Sequence, residues 1–383
     1  METRYTTGRS HLFHETQSSR PQTDMRPPVH SPGHSPYRLL LDITLPAPIL
    51  EGNRDWLRAA RRLNEILLPD SLSTDRQVTL SSYDRLSTAL TVAQVCGVQR
   101  VSQHYAARLA PQPSPESTRA SNRRLAQITE FARLLAGHPT LITSRSRDLL
   151  REAGLTEHDI VHLVLITGLV SMQARIVAVS ASLTAQPQRL LPGSAPVNAL
   201  DLELLAHKRW RQDVFPPLRS GHSQNLNVIL RQAYSLRMLR PLLRPLSWDA
   251  PLLGALHAFN SGLVAASSDT SPGWPVELIA YRAHGSGSCF NQTLRTHPVS
   301  QEFASALRSE ESVLAQWLKL NPRYAPWVEA LSLLAHTPDR MTPDVLAPLN
   351  KLDAMTGTEF ATLAVAANAS GMCRIKMGLG TRS

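Results

Sequence analysis

From about Tyr37 onward, apolar residues recur at three- and four-residue intervals with few alternating runs, so the pattern predicts helices nearly throughout. Trp56 to Leu68 keeps this spacing and stops at Pro69, and Tyr83 to Val95 does the same before Gly97. The stretch Ala110-Pro-Gln-Pro-Ser-Pro-Glu reads as a loop. Ser121 to Leu135 is amphipathic and ends at Gly137-His138-Pro139, and a short helix around Ser146–Ala153 stops at Gly154. Thr156 then caps a long helix to about Leu183, with Asp159 at its third helical position. The last long helix runs from Thr358 to Met377. The expected fold class is all-α.

The pattern also repeats. Leu134-Leu135-Ala136-Gly137-His138-Pro139 followed by Thr143 lines up with Leu333-Leu334-Ala335-His336-Thr337-Pro338 followed by Thr342. Thr156 matches Thr356, Leu163 matches Leu363, and Met172 matches Met372. Shared Pro and Thr positions in the loops argue against chance likeness between two Leu/Ala-rich helices. The expected organisation is an irregular N-terminal arm (1–36), a first helical domain (37–183), a linker with inter-repeat helices (184–269) and a second helical domain (270–383).

Composition narrows the class. The 383 residues are 42% hydrophobic and 18% charged, which is globular, and a chain this long needs no disulfide or metal staple. Three cysteines, Cys96, Cys289 and Cys373, exclude a disulfide framework and suit a reducing compartment. The N-terminus lacks the apolar stretch of a signal peptide, and the run Ile160 to Met172 is short for a span of ~20 residues, so a cytoplasmic, membrane-free protein is expected. The net charge of +10 raises nucleic acid as a partner. The arginines, however, are scattered and not interleaved with stacking aromatics, so solvated helix faces explain them better. The arm's histidines, His11, His14, His30 and His34, have no ligand spacing on a predicted element, and no metal is expected.

The segment Glu130-Phe-Ala-Arg-Leu-Leu, then Pro139, then Leu149-Leu150-Arg-Glu-Ala-Gly-Leu-Thr-Glu-His-Asp-Ile160, resembles the alkylhydroperoxidase D-like, peroxidase-related branch of the carboxymuconolactone decarboxylase family. The resemblance covers about residues 83–183 and, more faintly, 270–380. It implies an all-helical oligomer and a thiol peroxidase or disulfide reductant. Its hallmark is Cys-x-x-Cys followed by a His, with a Glu twelve residues before the first Cys. In the first repeat Val98 and Val101 stand at the cysteine positions, Tyr105 at the His and Leu86 at the Glu, so that copy reads as structural. In the second repeat Cys289 falls at the first Cys and Glu277 twelve residues before it. Gln292 replaces the second Cys and Thr296 occupies the His position, with His297 and Pro298 following.

Local chemistry adds to this. Gly285-Ser286-Gly287-Ser288 precedes Cys289, and Ser288 is a credible N-cap for a helix starting at Cys289, whose unpaired N–H groups would favour a thiolate. The expected function is a peroxidase-related oxidoreductase acting on a hydroperoxide or disulfide substrate: Cys289 as nucleophile, Glu277 and His297 or His284 as proton relays, and an external thiol as resolver and partner. Cys96 and Cys373 read as packing residues. No phosphate-binding glycine loop occurs, so no nucleotide cofactor is implied. The alternative is a non-catalytic helical scaffold or binding protein derived from the same family. A homo-oligomer or an internal pseudo-dimer fits either reading.

Overall fold

A helix that is apolar on every side must be enclosed by its neighbours, and two such helices organise this chain. The computed structural model describes residues 38–186, 202–206, 210–212, 224–236, 238–247, 249–267, 272–349 and 355–382. Its helices are α1 (Ala47–Leu67), α2 (Ser82–Val95), α3 (Gln99–Leu109), α4 (Arg119–Gly137), α5 (Ser144–Glu152) and α6 (Glu157–Leu183). There follow α7 (Glu203–Ala206), α8 (Gln224–Ser235), α9 (Leu243–Leu246), α10 (Ala250–Ala266), α11 (Glu277–Ala283) and α12 (Gly287–Thr296). The last five are α13 (Gln301–Leu307), α14 (Glu311–Leu320), α15 (Ala325–His336), α16 (Pro343–Leu346) and α17 (Gly357–Gly378). The protein is all-helical. Among the described residues the one extended pairing is a three-residue antiparallel ribbon, Trp210–Gln212 against Gly380–Arg382. The arm at 1–36 with its four histidines, and residues 187–201 of the linker, lie outside the described residues.

The central helices α6 and α17 start alike. Thr156 and Thr356 each accept a hydrogen bond from the third helical residue, and the Asp159 and Glu359 carboxylates in turn accept one from the cap backbone N–H. Asp159 is fully buried, yet its carboxylate accepts from the Thr79 and Leu80 amides at 3.0 Å each and from the Thr79 hydroxyl at 2.6 Å. Those bonds offset the cost of burying the charge and tie the loop before α2 to the start of α6. The two helices cross at Gly168 and Gly371, where the backbones come too close for a side chain. α6 is long and apolar enough to cross a membrane, but its apolar stretch is wholly buried inside the fold. The apolar run Ile160–Met172 is the middle of a longer core helix.

Two buried arginines hold this pair in place. Arg175 of α6 donates to the Ala335 carbonyl at 2.6 Å, and Arg374 of α17 donates to the Ala136 carbonyl at 2.7 and 2.9 Å. Ala136 and Ala335 lie in the last turns of α4 and α15, where carbonyls lack partners within the helix and the dipole is negative. Each guanidinium thus takes a helix end as its counter-charge. Burial, and then Arg175, lower Arg374 to about 9.

α1 begins nine residues before the apolar spacing predicts. Pro48 sits in its first turn, and the loop-like Gly52 and Asn53 are helical. Asn53 is buried: it accepts from the Trp56 indole at 2.6 Å and donates to the Gly357 carbonyl at 2.9 Å. It joins α1 to the start of α17.

Candidate active site around Cys289

α11 ends in a turn that only glycine permits. Gly285 has φ +62°, and a Cβ there would meet Leu204 at 2.7 Å and Thr140 at 3.0 Å. The chain then enters α12, which starts at Gly287 with Ser286 in the cap position. This corrects the expected cap: Ser288 is already helical, and Cys289 is the third residue of the first turn. The helix ends at Thr296 with His297 extended, as a residue before Pro298 should be.

Cys289 is half-buried at the edge of the core. The ammonium of Lys376, from α17, donates to its Sγ at 3.3 Å and to the Ser288 hydroxyl at 3.0 Å. Tyr281, one turn after Glu277 on α11, is buried nearby; burial first, then the charges of Cys289, Glu277 and Cys373, push its phenol well above the usual range. Burial likewise raises Glu277, while His297 acts against that rise. Cys373 is fully buried beside the same group; burial and the neighbouring Cys289 push its thiol up to about 12, opposed by the nearby Ser286 hydroxyl.

Glu277 and Cys289 thus both act electrostatically on the buried Tyr281. His297 has its Nδ1 3.0 Å from the Thr296 hydroxyl and acts electrostatically on Glu277. His284 faces elsewhere. It is buried against Arg374, which lies 3.3 Å from its Nε2, and burial followed by Arg374 keeps it well below the usual histidine range. A ring held neutral against a guanidinium is a poor proton relay for Cys289, so His284 is set aside as a relay. Lys376 and Tyr281 have no counterpart in the sequence reasoning. Lys376 is 87 residues from Cys289 and meets it only through the packing of α17.

The first-repeat positions are filled by packing. Leu86, Val98, Val101 and Tyr105 are buried, and the Tyr105 hydroxyl donates to Gln173 at 2.5 Å. Cys96 is buried with its sulfur 3.9 Å from Arg175.

A separate cavity lies at the other end of α12. It encloses about 500 Å³ and is lined by Trp274, Pro298, Phe303, Arg323, Tyr324 and Trp327 among others. The Trp274 indole N–H is buried there with no hydrogen-bond partner among the described residues. Cys289 is eight residues back along the helix from His297, roughly 12 Å along its axis. The cavity does not lie at the sulfur.

No protein-family model matches the chain, and no curated protein matches it.

Proposed function

We propose that the protein is a peroxidase-related oxidoreductase using the single thiol of Cys289 against a hydroperoxide. The observation that carries this is the Lys376 ammonium within hydrogen-bond distance of a half-buried sulfur in the first turn of α12. A cation and a helix start both favour sulfur as its anion, the form that attacks. The thiolate sulfur attacks one peroxide oxygen and the O–O bond breaks. The sulfur becomes a sulfenic acid and the leaving alkoxide takes a proton, for which Glu277, whose carboxyl is raised by burial, is the proposed donor. One external thiol then displaces the hydroxyl as water to give a mixed disulfide. A second external thiol releases the disulfide and restores the Cys289 thiol. An external reductant is required because Cys373, held protonated by burial, is a poor internal nucleophile. A reducing cytoplasm would supply it.

The likeness of the two halves supports descent from a repeated unit, with 37–183 as the copy without the thiol. The capping boxes at Thr156 and Thr356 correspond, as do the crossed bonds of Arg175 and Arg374. The basic excess fits solvated faces: Arg58, Arg61, Arg62, Arg123 and Arg124 all pair with carboxylates. A nucleic-acid partner is not part of this reading.

Lys376→Met is expected to slow alkylation of Cys289 by iodoacetamide at pH 7 roughly tenfold. Lys376→Arg should recover most of the rate. Equal rates in all three proteins would remove the main support for the reading.

A second reading, a binding protein, is favoured by the aromatic cavity. A planar apolar ligand with one acceptor would fill it and satisfy the Trp274 N–H. Tryptophan fluorescence quenched by ligands in Trp274-containing protein but not in Trp274→Phe would support it.

A further inference from the structure

At the other end of the fold, three groups converge where α6 begins. His158 and His162 are one turn apart on α6, so their side chains share a face. Their rings lie side by side, centroids 4.0 Å apart and planes inclined by 19°. Opposite them is Asp249, the cap residue of α10, whose Oδ1 accepts from the Leu252 amide at 2.9 Å. Its other oxygen, Oδ2, is 3.6 Å from His162 Nε2. One donor atom from each of the three side chains falls within 4.8 Å of the others.

The tautomer of His162 follows from its helix. Its Nδ1 is 3.0 Å from the His158 carbonyl, which can only accept, so Nδ1 carries the proton. In the neutral ring Nε2 then presents its lone pair towards a carboxylate oxygen. Two electron-pair donors facing each other at this distance are accommodated by a cation between them. A backbone carbonyl that fixes one imidazole nitrogen and aims the other is also the usual outer support of a metal-bound histidine.

We infer that His158, His162 and Asp249 bind a divalent transition-metal ion of the zinc class, as a two-histidine, one-carboxylate site with a position left for water. The donor set suits that class, because imidazole and carboxylate together favour zinc, iron or nickel over calcium or magnesium. Tetrahedral ligands about 2.0–2.1 Å from zinc lie about 3.4 Å apart. The His162–Asp249 pair, at 3.6 Å, is already near that spacing, and the His158 donor atom lies within 4.8 Å of both. The side chains of His158 and Asp249 are 21% and 18% exposed, which opens the site to solvent, while His162 at 3% anchors it.

Charge supports a dication. Asp75, Asp84, Asp159 and Asp249 lie within electrostatic reach of His158 or of Arg85, and the guanidiniums among them are Arg85 and Arg124. Among these described groups the carboxylates outnumber the guanidiniums, a balance that suits a bound cation. The ion would tie the start of α6 to the start of α10.

The test is titration of chelator-treated, full-length Cys289→Ser protein with Zn²⁺ against a chromophoric chelator, repeated with Co²⁺ for its visible spectrum. The serine variant keeps the exposed thiol from binding metal. The expected result is one equivalent bound at micromolar affinity or tighter, with the intense d–d bands of low-coordinate Co²⁺ and no sulfur charge-transfer band. His158→Gln and Asp249→Asn should each weaken binding at least about tenfold; asparagine still caps α10, so the fold is retained. No binding tighter than about 100 µM, or tight binding that both variants leave unchanged, would overturn the site.

Discussion

Gly371→Ala is expected to destabilise the protein by roughly 2 kcal/mol or more, while Gly254→Ala is expected to stabilise it by up to about 1 kcal/mol. Both glycines are in helix interiors, and the same methyl group is added. At Gly371 the new Cβ would sit 2.6 Å from the Gly168 carbonyl oxygen, backbone against backbone, so α6 and α17 would have to separate. At Gly254 the nearest atom is the end of the Ile229 side chain at 3.8 Å, an ordinary contact. There only the gain in helix propensity remains. Denaturant midpoints of the two variants measure both effects. α17 also carries Cys373, Arg374 and Lys376, so Gly371→Ala should slow Cys289 alkylation in parallel. Destabilisation of equal size in both variants would show that the crossing is not as tight as described.

The second large effect is with acid. Four histidines are held neutral by burial: His158 and His336 to about 4, His162 to about 3, and His284 well below its ordinary value. For a histidine with a depressed folded pKa, the unfolded chain binds protons first as the pH falls. Stability is therefore fully present above about 6.5 and drains away towards the folded pKa values. Each group contributes up to about 1.4 kcal/mol per pH unit within its window. Glu277, Asp249 and Asp339 act in the opposite sense, because burial raises them and the folded form takes up their protons first. Their offset falls nearer the ordinary carboxyl range, so the histidine slope is cleanest between about pH 6.5 and 5. His336 lies among Arg175, Arg282, Arg374 and Glu311, and burial outweighs them all. Unfolding titrations across this window should show stability falling steadily, with a shallower fall in His336→Gln. A profile flat to pH 5 would contradict the burial of these rings.

The sequence carries much of the architecture because that information is local. Thr156 with Asp159, and the apolar stretch behind them, mark α6 from spacing alone. α1 is misread at its start because Gly52 and Asn53 have loop character; Asn53 is helical since it has a distant carbonyl, Gly357, to bond. Cys289 and Glu277 are visible as a spacing of twelve residues. Ser288 is misassigned as the cap because the helix can begin at a glycine once Gly285 has made the turn. Lys376 is not legible at all, since its meeting with Cys289 depends on how α17 crosses α6. The same holds for the metal-binding group: the four-residue spacing of His158 and His162 is in the sequence, but Asp249 arrives from α10.

The central claim is that Cys289 alone among the three thiols is a working nucleophile. Reduced protein should be treated with a hydroperoxide and a sulfenic-acid trap, and the adducts mapped by mass spectrometry with Cys289→Ser as control. The account predicts rapid labelling at Cys289, with buried Cys96 and Cys373 silent on that timescale. Slow and equal labelling of all three thiols would contradict it.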